Sequence, residues 1–158
     1  LYGTTLTHNS VVDSIINDYN RISGAYLVLA DSARAPSYDA LFHQHRVIDV
    51  CFSYQQDMIE GHASAKYDAE MEHFNGCEIK LGKKVQSKAK RLLRTLTHEI
   101  GHCLALDHDF DTQHSLMSYF SNVYRLQPDD KAGITYLYPE NSDDVAELPT
   151  FGLSCSAR

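Results

Sequence analysis

The feature that most limits how this chain can fold is the run His98-Glu99-Ile100-Gly101-His102, with His108 six residues further on. Four residues advance an α-helix by about one turn, so His98 and His102 share a face if the run is helical. Two imidazoles placed in this way can bind one metal ion, and nitrogen ligands favour zinc. Glu99 follows the first histidine. Its carboxylate can reach a water at the metal without being a ligand, which suits a general base in metal-assisted hydrolysis. On a continuing helix His108 would point well away from this pair. It can close the site only if the helix stops near Ala105 and the chain turns back. Three protein ligands with one position open make a catalytic zinc site. The first five residues alone could arise by chance on an amphipathic helix; a third histidine in place weakens that reading.

Further along come Ser115-Leu116-Met117-Ser118-Tyr119 and Pro128-Asp129-Asp130-Lys131-Ala132-Gly133-Ile134-Thr135-Tyr136-Leu137-Tyr138. Together these stretches resemble the metzincin metalloproteases, whose pattern is H-E-x-x-H-x-x-G-x-x-H followed by a Met-turn. His98, Glu99, His102 and His108 match the pattern, and Met117 takes the place of the Met-turn methionine. The run from Pro128 looks like the C-terminal helix of matrixins and serralysins. The specific resemblance covers about residues 88 to 138, and its subfamily marks are mixed. Ala105 stands where the family has glycine. A left-handed turn there carries a Cβ cost on the order of 1 kcal/mol, so φ > 0 or a distorted helix end is expected.

The resemblance implies an α+β fold, with a twisted mixed sheet and packed helices above a cleft and a smaller C-terminal subdomain. It implies one catalytic domain over residues 1–158, divided near residues 104 and 105. It also implies one catalytic zinc on His98, His102 and His108, and a protein or peptide substrate. Met117 would form an apolar floor under the metal. Tyr119 has the place of a tyrosine that ligates zinc at rest and swings to stabilise the oxyanion; the plainer reading is a partly buried tyrosine. Asp109 would brace the Met-turn by a hydrogen bond, or else be a solvated loop carboxylate. Arg94, one turn before His98, would line the S1′ pocket with Phe120, Val123 and Tyr124. There it would shorten the pocket or favour a polar side chain; otherwise it is a solvated or ion-paired arginine. His43, His45, His62, His73 and His114 match no structural-zinc stretch, and no EF-hand-like loop supports calcium.

A chain of 158 residues suits one domain with a sizeable core. The net charge is −7. The longest basic run, Leu81 to Arg94, leads straight into the histidine helix, which argues against a nucleic-acid or anionic-membrane surface. No apolar run approaches the ~20 residues that cross a bilayer. A monomer is expected; no signal-peptide pattern is read at the start, which a processed or trimmed product would also give.

Read in order, Tyr2 to Leu6 can form an edge strand. Ser10 is a candidate N-cap for an amphipathic helix over about 11 to 22, carried by Val11, Val12, Ile15, Ile16, Tyr19 and Ile22. Strands are expected at Ala25–Ala30, His45–Tyr54, His62–Tyr67 and Gly76–Leu81, with loops at Asp31–Asp39 and around Asp68–Asn75. Ser87 is a candidate N-cap for the histidine helix. Leu92, Leu93, Leu96, Ile100, Cys103 and Leu104 form the stripe that should face the sheet. Residues 140 to 158 read as an acidic tail.

The four cysteines allow three pairings. No C-x-x-C spacing suggests a zinc site, and free buried thiols are the alternative to disulfides. Disulfides would mean an oxidising compartment, which with the resemblance suggests a secreted or periplasmic protein. Strand parity puts Cys77 with Ile79 and Leu81, facing the helices, and Cys103 on the stripe facing that sheet. Cys51 has the parity opposite to Ile48, Val50 and Phe52. The expected bridges are therefore Cys77–Cys103 and Cys51–Cys155.

The leading functional reading is a zinc endopeptidase. The alternatives are a catalytically weak binding module that keeps the fold, and an effector or toxin protease that cuts one target. Glu99 argues against the former, since decay would most cheaply remove the base.

Overall fold

The computed structural model describes residues 8–25, 29–31, 47–55, 60–68, 73–140 and 150–153. The elements in chain order are helix α1 (His8–Asn20), strands β1 (Leu29–Asp31), β2 (Val47–Gln55), β3 (Gly61–Asp68) and β4 (His73–Gly82), a short helix α2 (Lys83–Gln86), the histidine helix α3 (Ala89–Cys103), helix α4 (Pro128–Leu137) and strand β5 (Thr150–Leu153).

The five strands form one mixed sheet in the order β1-β5-β2-β4-β3. All neighbours are parallel except β3, which runs antiparallel to β4 at one edge. The predicted periodicities set the core. Cys77, Ile79 and Leu81 of β4 are buried, as are Leu92, Leu93, Leu96, Ile100, Cys103 and Leu104 on and just after α3. Val11, Val12, Ile15 and Tyr19 of α1, with Ile22 just after it, complete the same cluster. Tyr19 also donates its hydroxyl to the Thr97 carbonyl at 2.8 Å, tying α1 to the middle of α3. Cys77 and Cys103 are bridged, with their Cα atoms 5.6 Å apart. The disulfide thus joins the sheet to the last residue of α3. This is an α+β architecture, with helices packed on one mixed sheet.

Several boundaries differ from expectation. α1 starts at His8, so Ser10 lies inside the helix and does not cap it. Ser87 does not cap α3 either: its hydroxyl donates to the Lys84 carbonyl at 2.9 Å and closes α2. The N-cap of α3 is Lys88, with no side-chain cap bond. Hydrogen bonding along the whole of β4 carries that strand back to His73, into a stretch too polar to read as a strand.

The largest difference is at the C-terminus. Residues 150–153 of the expected tail form β5, which pairs with β1 on one side and β2 on the other. Its pattern is four residues long and contains Gly152, so local sequence carried no strand signal; the pairing is non-local. Ala25 makes only an isolated bridge, to Pro139. The expected edge strand at Tyr2–Leu6, His43, His45 and Cys155, and with Cys155 the Cys51–Cys155 bridge, lie outside the described residues.

Candidate active site

α3 ends where the third histidine needs it to end. Cys103 is its last residue, and Ala105 has φ +66°. The Ala105 N–H donates to the His102 carbonyl and the Leu106 N–H to the Gly101 carbonyl, each at 3.0 Å. That pair of bonds is a Schellman C-cap, built here on alanine instead of glycine. The chain reverses, and His108 comes back over the first two histidines.

The three imidazoles converge. His102 Nε2 lies 3.1 Å from His98 Nε2 and 3.2 Å from His108 Nε2. The remaining ring nitrogens fix the tautomers. His98 Nδ1 is 2.9 Å from the Leu116 carbonyl and His102 Nδ1 is 2.8 Å from the Leu106 carbonyl. A carbonyl oxygen only accepts, so each Nδ1 must carry the proton. Each Nε2 then presents a lone pair to the same point, which is how metal-binding histidines are held. The His108 Nε2 closes on the same point, where a cation would draw the three ring nitrogens together. Burial, with the neighbouring His102, His108 and Arg94, lowers the His98 pKa to about 4 against the opposing Leu116 bond. Burial and His102 lower that of His108. Both shifts favour neutral, metal-binding rings. Among the described residues, these three are the one group of His, Cys, Asp or Glu that could hold a metal ion.

Glu99 sits at the wall of the cleft beside the triad and is 5% exposed. Burial pushes its carboxyl up to about 7, partly offset by the Ala63 backbone N–H of β3, while Glu60 adds to the rise. β3 crosses close above α3 here. A Cβ on Gly61 would come within 2.7 Å of Glu99 Oε1 and Thr95 Cγ2, so only glycine lets the strand approach. The cleft, about 560 Å³, runs between this edge strand and α3, with His108 and Tyr119 on its far lip.

Met117 is buried under α3. A Cβ on Gly101 would meet its sulfur at 2.6 Å, so Gly101 makes room for the thioether between the two helical histidines. The turn carrying Met117 is organised by a residue to which sequence reasoning gave no role. Asp130, buried in the first turn of α4, accepts hydrogen bonds from Ser115 Oγ (2.7 Å) and from the backbone N–H groups of Leu116 (2.9 Å), Met117 (3.1 Å) and Gln127 (2.7 Å). The Gln127–Asp130 capping box was the available signal. Tyr138 was missed similarly: its hydroxyl donates to the Leu104 carbonyl at 3.0 Å, and burial raises its pKa to about 12.

The other expected site residues divide. The Asp109 side chain binds its own loop, accepting from Asp111 N–H, Thr112 N–H and the Thr112 hydroxyl at 2.8–3.1 Å. These bonds, the Thr112 hydroxyl first, lower its pKa. Its main-chain N–H also donates to the Met117 carbonyl at 3.2 Å, and a side-chain hydrogen bond with Ser115 adds to the lowering. The Tyr119 ring stacks on His108 at 3.9 Å and is 59% exposed. Arg94 lines the cleft, but Phe120, Val123 and Tyr124 do not. Phe120 points to solvent, Tyr124 lies under Lys90 Nζ at 5.9 Å from its ring centre, and Val123 packs on the core. Leu126 and Ser121 take the buried places in that loop, which is why its aromatic residues face outward.

Residues 17–139 match the matrixin peptidases, more than three-quarters of the chain. The chain belongs to the matrixin family, one of the metzincins. Matrixins are zinc metallopeptidases, which resolves the mixed subfamily marks of the sequence and implies zinc and a protein or peptide substrate. No curated protein and no solved structure matches the chain. Members of the family are usually extracellular, and no helix among the described residues is long and apolar enough to cross a membrane.

Proposed function

We propose that this chain is a zinc-dependent endopeptidase, with His98, His102 and His108 as metal ligands and Glu99 as general base. The observation that carries the reading is the convergence of three Nε2 atoms, two of them with Nδ1 bonded to carbonyls. The donor set suits zinc with one position left open. Bound there, zinc supplies Lewis acidity, making water a nucleophile near neutral pH and polarising the scissile carbonyl. Glu99 takes the proton from the attacking water and hands it to the leaving amine. Tyr119 rotates off His108 to donate its hydroxyl to the oxyanion. The outer edge of β3, which pairs with no other described strand, takes up the extended substrate backbone, and Arg94 contacts a side chain of the substrate. Met117 and Asp109 support the ligands from below.

The protein acts as one monomeric catalytic domain, secreted or periplasmic. Its upper subdomain runs to about residue 104, and the lower one follows, less the returning strand β5. Cleavage profiling on a peptide library, with metal analysis of the same sample, tests the reading. Chelator-sensitive internal cleavage with one zinc per chain is expected. A metal-free chain that cleaves, or a zinc-loaded chain that cleaves nothing, overturns it; the second outcome would favour a binding module.

A further inference from the structure

Charge in this chain is concentrated in one place. Lys80 and the six basic residues from Lys83 to Arg94 are half of the chain's 14 Lys and Arg, with no acid between Glu78 and Glu99. The structure folds this run into a corner made by α2 and the first turns of α3. Lys83, Lys84, Lys88 and Lys90 are exposed. Lys83, Lys84 and Lys88 pair with no carboxylate among the described residues; Lys80 pairs with Glu78 and Arg91 with Glu60.

Fold stability does not account for the arrangement. The first turn of α3 contains no acid, and its N-cap is a lysine without a cap bond. Cations at a helix N-terminus are opposed by the helix dipole, and clustered like charges repel. A ligand of opposite charge relieves both.

The corner is continuous with the cleft. Glu60 lines the cleft, and its carbonyl accepts from Gly82 N–H at 2.5 Å, the residue just before Lys83. Arg91 Nη2 lies 3.3 Å from Glu60 Oε1. Arg94, three residues on, lines the cleft itself.

We propose that this basic corner is an accessory binding surface for a run of acidic residues in the peptide substrate, just beyond the Gly61 end of the cleft. The inference rests on the peptidase reading above. An acidic peptide fits better than an extended polyanion, because the remaining chain carries 21 acids against 7 basic residues and repels one. For a peptide laid antiparallel to β3, the acidic run falls C-terminal to the scissile bond.

The test has two arms, both on the full chain. In the first, a fluorescein-labelled peptide with a run of about six glutamates is titrated by anisotropy against the wild-type chain and Lys83→Glu/Lys84→Glu/Lys88→Glu. Affinity should fall about tenfold or more in the variant, and severalfold in wild type between about 50 and 300 mM salt. Gln at the same three positions, which removes charge without reversing it, should give an intermediate loss. Equal binding by wild type and variants overturns the proposal, as does tighter binding of a heparin oligosaccharide of matched charge. In the second arm, paired substrates carry glutamates or glutamines on either side of the scissile bond. A lower KM for glutamates C-terminal to it, lost in the variant, is expected; no preference on either side overturns the proposal. If no peptide is cleaved, the peptidase reading fails separately, and the anisotropy arm still decides whether the surface takes acidic peptides.

Discussion

The Asp130 carboxylate accepts the backbone N–H of Met117 across 3.1 Å, joining the first turn of α4 to the turn beneath the histidines. The same carboxylate holds Leu116 N–H, and the Leu116 carbonyl holds His98 Nδ1. A side chain on one helix therefore reaches a candidate metal ligand on another through a single loop residue, Leu116. Asp130→Ala would leave buried donors unpaired, at about 3 kcal/mol. Zinc affinity should fall along with the unfolding midpoint. Calorimetry and competitive metal titration measure the two; a variant with unaltered zinc affinity would show that the turn stands without its brace.

Glu99→Ala should abolish turnover yet keep one zinc per chain, if the carboxylate has the proposed role of a base and not of a ligand. Chelation of the wild type should abolish turnover too, and added zinc should restore it. Activity surviving in the variant would remove Glu99 from the mechanism.

Tyr119→Phe should fold and hold zinc but lower kcat more than it raises KM, the pattern of a contact made in the transition state. The ring's stacking on His108 is available to phenylalanine, so only the hydroxyl is lost. Steady-state kinetics with unchanged kcat would leave Tyr119 as a packing residue.

Ala105→Gly should raise stability by up to about 1 kcal/mol, because it removes a Cβ from a residue at φ +66°. Ala105→Val should lose more than that, since branching at Cβ is worse there. Denaturant melts of the pair check the sign; a destabilised glycine variant would contradict the turn argument.

Replacing both Cys77 and Cys103 by alanine should cost about 3 kcal/mol in the chain-entropy account, the loop being 26 residues. The difference between melts with and without reductant should be of similar size. Non-reducing peptide mapping should recover the Cys77–Cys103 pair, and it also decides how Cys51 and Cys155 are disposed.

Much of the site was legible because its determinants are local. Histidines four apart on a helix, an apolar stripe on its other face, and a reversal required at Ala105 are each set within about one or two turns of chain. The Cys77–Cys103 bridge followed from the same periodicities, since β4 and α3 each present a buried face at fixed spacing. What was not legible depends on distant partners. Asp130 looks like any acid in a helical first turn until the Met-turn folds against it. Phe120 and Tyr124 looked like pocket residues, yet Leu126 and Ser121 take the inside positions. Ser87 and Ser10 have the chemistry of N-caps, but the Ser87 hydroxyl closes α2 and Ser10 lies inside α1.

The returning strand β5 sets an order in which the molecule can be completed. Among the described residues β1 pairs with β5 alone, Leu29 opposite Phe151, so that side of the sheet stays open until residue 153 has left the ribosome. Contacts this far apart in sequence form late, because the loop must close before they repay its entropy. β3, β4 and α3 lie within residues 61–103 and α4 ends at Leu137, so the cleft can assemble from its own neighbourhood first. Nascent chains should thus acquire the metal-binding half while the opposite edge still presents unpaired backbone, the interval in which such an edge is most exposed to aggregation.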